Sequence, residues 1–269
     1  MNQEDRDFLV ELARAAGDLA LHYAGQFRVA SKPDGSLVTQ ADHEAEELIR
    51  AALGERWPAD AIVGEELAGT ADMSRGRVWC LDPVDGTHNF IGGLPLWAVC
   101  LGLCEDGMPV AGVIHAPALG LTWTGFAGQG AYLNGQRLSV APTEGILRSD
   151  MIAFTTEASA QLRLTIPHSQ RDLGSGSLHC GYLATGAYKA AVFASWWVWD
   201  VLAGAAIGFE AGAIACDLRG QPVTSFAGFA AQEKNEPLIL AAPSCGEVLT
   251  AHLVPLSSPP ALPISAGRY

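Results

Sequence analysis

Apolar residues recur at helical spacing from the start of the chain. Phe8, Leu12, Ala15, Leu19 and Tyr23 share one face and predict a first helix. Ser31-Lys32-Pro33-Asp34-Gly35-Ser36 breaks that period and reads as a turn. A second helix is predicted from near Thr39, where Thr39-Gln40-Ala41-Asp42 resembles a capping box, and it continues through Ala45, Leu48, Ile49 and Ala52. Residues 61–64 form a short apolar strand that ends at Glu65-Glu66. Segments 97–104, 110–115, 121–126 and 130–133 then read as strands, with turns at Glu105-Asp106-Gly107 and Asn134-Gly135. Such short connections favour antiparallel pairing.

Past a polar, turn-forming boundary at 142–145 the pattern changes. Strands are predicted at 151–154, 190–193, 213–216 and 238–241, alternating with helices at 157–164, 177–185, 199–211 and 245–252. This alternation predicts a layered α/β unit. The chain therefore divides into an N-terminal α+β half, residues 1–142, and a C-terminal α/β half, residues 143–269. The stretch 255–269, rich in Pro and Ser, reads as a loose tail.

Composition narrows the function. With 49% hydrophobic residues in 269, the chain has ample material for a core, and disorder is excluded. Acidic residues outnumber basic ones by 29 to 16, a net charge of −13, which argues against a nucleic-acid partner. The same charge means that an anionic ligand needs bound cations to reverse the local field. No apolar run is long enough for a membrane span, and the acidic N-terminus lacks a signal-peptide charge pattern. Cys80, Cys100, Cys104, Cys180, Cys216 and Cys245 lie scattered in apolar contexts and read as reduced core thiols of a cytoplasmic protein.

The most informative stretch runs from Trp79 through Asp82-Pro83-Val84-Asp85-Gly86-Thr87 to Phe90. Carboxylates at a strand end are hard oxygen ligands for Mg²⁺. A helix starting at Thr87 presents free N–H groups to an anion. Glu65 ends a neighbouring strand, and carboxylates at neighbouring strand ends converge on one point; a solvated acidic turn is the competing reading, strongest for Glu66. Asp200, opening an apolar helix, is an N-cap, a ligand or both; Asp42 and Thr87 also fit as caps. The cluster of Trp196, Trp197 and Trp199 reads as core or interface. The segment Gly174-Ser175-Gly176-Ser177 is a weak phosphate signal, the histidines show no ligand spacing, and no P-loop is present.

Taken in order, Gly64-Glu65-Glu66, the 82–90 run and Trp199-Asp200-Val201-Leu202-Ala203-Gly204 resemble the motifs of the inositol monophosphatase family. Arg171-x-x-Gly174-Ser175 and Ala184-Thr185-Gly186 add to the likeness, which covers roughly the first helix to residue 242. The resemblance implies an alternating α/β/α/β/α sandwich, usually a homodimer, that hydrolyses a small phosphate monoester with Mg²⁺ and is inhibited by Li⁺. It implies that Glu65, Asp82 and the Val84 carbonyl hold one Mg²⁺, that Asp82, Asp85 and Asp200 hold a second, and that a third, weaker ion rests on Glu65. It further implies that Thr87, backed by Asp42, activates water together with Glu65. Gly86 and Thr87 would then cradle the phosphate, with Ser175 and Phe193 on the substrate side.

Two positions depart from the family pattern. Phe193 stands where polyol- and amino-alcohol-specific members commonly carry an acidic residue, and Lys189 stands where an acidic residue is common. A sugar-alcohol phosphate, histidinol phosphate and a nucleotide 3′-phosphate remain open as substrates. So does a ligand-binding homologue that has lost turnover.

Overall fold

Helix α1 (Gln3–Tyr23) and helix α2 (Gln40–Arg56) form where the apolar periodicity places them. Thr39 and Asp42 close a reciprocal capping box at the start of α2. Strands β1 (Val29–Ser31) and β2 (Leu37–Thr39) pair antiparallel between the helices. Three-residue strands are too short to show alternation, so the sequence pattern does not reveal them. The computed structural model describes residues 1–32, 35–67, 69–143, 145–231 and 233–256. Part of the turn expected at 31–36 and most of the expected tail therefore lie outside the described residues.

Strands β3 (Ala61–Gly64), β4 (Arg77–Asp85), β5 (Ala98–Glu105), β6 (Met108–Ala116), β7 (Leu121–Phe126), β8 (Gly130–Leu133) and β9 (Gln136–Arg137) build one sheet in chain order, with the short helix α3 (Thr87–Ile91) between β4 and β5. The β3–β4 pair is parallel and the others are antiparallel. Strands β4 to β6 are apolar at nearly every position because helices cover both faces. Trp79, Leu81, Leu101 and Val113 pack on Leu9, Leu12 and Ile49 of α1 and α2. The alternate residues Val78, Cys80, Cys100 and Ile114 face the other way, into the main core.

The second half contributes β10 (Met151–Phe154), α4 (Thr156–Gln161), β11 (Leu162–Leu164), β12 (Ser169–Arg171), α5 (Gly176–Ala184), β13 (Tyr188–Phe193), α6 (Val198–Ala211), β14 (Ile214–Cys216), β15 (Leu238–Ala241), α7 (Cys245–His252) and β16 (Leu253–Pro255). Five of these strands form a mixed sheet in the order β12-β10-β13-β15-β14. Helices α5 and α6 fill the layer between the sheets, and α4 and α7 pack on the second sheet, completing the expected α/β/α/β/α order. The helix expected over 157–164 stops at Gln161, because Leu162 and Leu164 are buried and Arg163 is exposed, a two-residue alternation that pairs β11 with β16. Pro255 accordingly lies in a strand and not in a loose tail.

Helix α6 meets the first sheet backbone to backbone. Gly102, Gly112 and Gly125 stand in register across β5, β6 and β7. A Cβ at these positions would fall 2.8 Å from Ala203 N, 2.1 Å from Ala203 O and 2.5 Å from Ile207 Cα respectively. Among the described residues, no helix is long and apolar enough to cross a membrane.

Candidate active site

A cleft of about 590 Å³ opens where the two sheets meet, and Glu65, Asp82, Asp85, Thr87 and Asp200 all border it. Parallel pairing of β3 with β4 brings their C-terminal ends together: Gly64 pairs with Leu81, and the Glu65 N–H continues the ladder to Leu81 O at 3.2 Å. Glu65 and Asp82 therefore leave adjacent strands at the same end. At Asp82 the β4–β5 register shifts before Asp85. Within that irregularity the Val84 N–H donates to Asp82 Oδ1 at 2.9 Å. Gly86 then takes φ 97°, a left-handed turn open to glycine, and α3 begins at Thr87.

Each carboxylate has a distinct setting. Asp85, 8% exposed, accepts hydrogen bonds from Ser175 Oγ at 2.5 Å, Ser177 N at 2.8 Å, Gly176 N at 3.3 Å and also from the Ser177 hydroxyl. Burial raises its pKa, and these donors oppose the rise. Asp82 is pushed well above the carboxylate range, first by burial and then by the charges of Glu65, Asp85 and Asp200. Burial and the neighbouring Asp85 and Glu65 do the same to Asp200, whose Oδ2 accepts the Trp197 N–H at 3.0 Å. Lys32 reaches in from the end of β1 and donates to Glu65 Oε1 at 2.7 Å and Glu66 Oε1 at 2.8 Å. Burial raises Glu65 even so, and burial with the adjacent Glu65 charge pushes Glu66 up to about 8.

Asp42 caps α2 and also reaches Thr87. Its Oδ2 accepts the Thr39 N–H at 2.9 Å, while Oδ1 lies 3.4 Å from the Thr87 hydroxyl. The single proton of that hydroxyl has the Val84 carbonyl, at 3.1 Å, as its nearer acceptor. Asn89 Nδ2 ties the motif to the second half by donating to Leu96 O and Leu173 O, each at 2.7 Å.

Buried carboxylates that repel one another are a donor set made for a hard cation. Among the described residues, no three acidic, His or Cys side chains already form a tight cage. Lys32 pairs with Glu65 and the serines hold Asp85. The oxygen chemistry fits Mg²⁺, with the Lys32 ammonium resting among carboxylates that a metal would neutralise.

A model of the inositol monophosphatase family matches residues 1–248. The chain belongs to the inositol monophosphatase family. Membership places it among the phosphoric monoester hydrolases, and the family is generally metal-dependent. It is 35% identical to a histidinol-phosphatase of Chlorobaculum parvum, over 81% of this chain and 87% of that one. It is 32% identical to a fructose-1,6-bisphosphatase/inositol-1-monophosphatase of Thermotoga maritima, over 82% of this chain and 87% of that one. Among solved structures, a Thermotoga maritima IMPase superposes with a TM-score of 0.79 at 27% identity, covering 93% of this chain and 96% of that chain.

In this family frame, the remaining expected residues divide. Gly86 and Thr87 border the cleft with their strand-to-helix turn. Ser175 lines it too, but its hydroxyl holds Asp85. Phe193 forms apolar floor at 1% exposure, its Cε1 3.2 Å from where a Cβ on Gly176 would lie. Lys189 lies on β13 and is not part of the cleft lining among the described residues. All three tryptophans line the cleft, but Trp196 is buried and held by its Nε1, which donates to Glu236 O at 2.7 Å, whereas Trp197 is half-buried and stacked on Trp199. The outer wall, including Thr156, Glu157, Asp172, His179, Ser195 and Lys234, was not legible in advance. Apart from His179, buried within α5, these residues come from loops and element ends far apart in sequence, with no motif spacing to join them.

Proposed function

We propose that the chain is a Mg²⁺-dependent phosphatase of a small phosphorylated metabolite, with Glu65, Asp82, the Val84 carbonyl, Asp85 and Asp200 as the metal-holding set. The observation that carries this reading is the meeting of four carboxylates with the Asp42–Thr87 pair in one cleft at a strand-to-helix turn. Bound Mg²⁺ would neutralise phosphate oxygens and lower the pKa of water. The protein's own part is orientation. Asp42 Oδ2 accepts from Thr39, which leaves Oδ1 within reach of Thr87. With the Val84 carbonyl turned to a metal, the one Thr87 hydroxyl proton would pass from Val84 O to Asp42 and leave the Thr87 oxygen to accept from the attacking water. Glu65, in contact with Lys32, is the second proton acceptor at the same point. The N–H groups of Gly86 and Thr87 take the phosphate, and Phe193 forms an apolar floor under the leaving group. The halves 1–142 and 143–269 act as one unit, because Asp85 is held by Ser175 and Ser177 across the cleft.

Phosphate release from inositol 1-phosphate, histidinol phosphate, glycerol 2-phosphate, fructose 1,6-bisphosphate and adenosine 3′,5′-bisphosphate, with and without EDTA, tests the reading. Release that EDTA abolishes, Mg²⁺ restores and Li⁺ inhibits is the expected result. Metal-independent release would overturn it. A homodimer is part of the proposal, with the exposed Leu94 and Leu147 as apolar surface available to cover, and sedimentation velocity checks it. A cytoplasmic setting fits six buried, unpaired cysteines, and cell fractionation checks that.

A further inference from the structure

Trp197 and Trp199 lie nearly parallel, with ring centroids 4.9 Å apart and planes 8° apart. Trp199 is the inner ring at 6% exposure, and Trp197 is half-buried on the cleft wall. The Trp197 indole N–H has no protein partner among the described residues, and the Trp199 Nε1–H is buried without one. Neither ring is pinned by a hydrogen bond, so their planes are set by stacking on each other and by packing against the main core. The Trp197 main chain is fixed, however: its N–H donates to Asp200 Oδ2 at 3.0 Å, which ties the flat wall to the proposed metal-holding set. Below it, Phe193 offers no hydrogen-bond acceptor to a polyol.

We propose that the leaving-group end of the cleft is a stacking site for a planar nitrogen heteroaromatic ring, received on the open side of Trp197 with Trp199 as backing. The preferred substrates are then phosphate monoesters of alcohols that carry such a ring, ahead of polyol phosphates. This rests on the phosphatase reading above and adds the substrate class. Stacking on an indole is tolerant of ring identity because every heteroaromatic base presents a π-face, and truncating such a platform costs about 10- to 100-fold in binding.

The test compares wild type, Trp197→Ala and Trp197→Phe. Histidinol phosphate supplies an imidazole, adenosine 3′-monophosphate a purine, and glycerol 2-phosphate the ringless reference. Wild type is expected to favour at least one ring-bearing substrate in kcat/KM by tenfold or more. Trp197→Ala should reduce that ratio about 10-fold or further, and Trp197→Phe should hold it within threefold. The two ring arms distinguish imidazole from purine. A binding arm needs no turnover: histidinol or adenosine should quench tryptophan fluorescence in wild type and lose affinity at least tenfold in Trp197→Ala. Ring preference absent in wild type, or unchanged in Trp197→Ala, would overturn the stacking site even while glycerol 2-phosphate is hydrolysed. Quenching that Trp197→Ala weakens, with no phosphate released from any substrate, would support the stacking site and overturn the phosphatase reading instead.

Discussion

The Glu46 carboxylate occupies the space that a side chain at Gly64 would need: a Cβ there would fall 2.0 Å from Glu46 Oε1. Fully buried on α2, Glu46 accepts the N–H of Glu66 at 2.8 Å and of Leu67 at 3.2 Å, and Arg50 Nε donates to it at 2.6 Å. A helix thus holds the loop that carries Glu65. Gly64→Ala should evict the carboxylate, strand two backbone donors and destabilise the protein by roughly 2–4 kcal/mol. Urea unfolding checks this, and a loss below about 1 kcal/mol would show that the loop does not depend on Glu46.

Asp85→Asn keeps the shape of the side chain but removes its charge and turns an amide toward four donors. Phosphate release should fall by more than the roughly 10- to 100-fold typical of losing a supporting partner, while far-UV circular dichroism stays native. Ser177→Ala removes one of those supports and should fall within that range. Near-normal turnover in Asp85→Asn would sink the ligand assignment.

The acidic cluster predicts opposite effects of one substitution with and without metal. Asp82 is raised by burial and by four neighbouring carboxylates, so at neutral pH its charge opposes folding. Asp82→Asn retains the oxygen that accepts the Val84 N–H. It should therefore raise the melting temperature in EDTA and abolish the gain from Mg²⁺. In wild type, Mg²⁺ at about 100 times its dissociation constant should add roughly 2.7 kcal/mol. Calorimetry in EDTA and in Mg²⁺ reads both effects, and a variant less stable than wild type in EDTA would contradict the repulsion.

His179 predicts a pH effect. Its Nε2 accepts the Leu173 N–H at 2.8 Å, and burial holds its pKa down to about 4, against the attraction of Asp172. The unfolded chain binds this proton near the ordinary value of 6.5, so the contribution is complete above 6.5 and is lost as pH falls toward 4. The stability advantage of wild type over His179→Gln should shrink by an amount on the order of 3 kcal/mol between about pH 7 and about pH 4. A pH-independent difference in urea titrations would show that His179 titrates normally.

Much of the site is legible in the sequence because its chemistry is local. Asp82, Asp85, Gly86 and Thr87 occupy one strand-to-helix turn, and Thr39 and Asp42 form a capping box within four residues. The β-hairpins and long helices are legible for the same reason. What escaped depends on distant partners. β11 is a strand because Leu162 pairs with Pro255, and Ser177 matters because it meets Asp85. Trp197 and Trp199 share a motif with Asp200, yet only the tertiary arrangement stacks them on each other beside the cleft and buries Trp196 against its wall.

The glycine row under α6 acts as a fixed gauge between the two halves. Asp200 rides on that helix, Asp82 and Asp85 belong to the neighbouring strand β4, and at Gly112 and Gly125 the nearest atoms of the helix are all backbone, with the Leu202 side chain beside Gly102. Much of the cleft wall, including Thr156, Asp172, Ser195 and Lys234, is made of loop and element-end residues outside that contact. If the proposed function holds, drift at the mouth can change the alcohol accepted far more readily than it can change the spacing of Asp200 from Asp82 and Asp85.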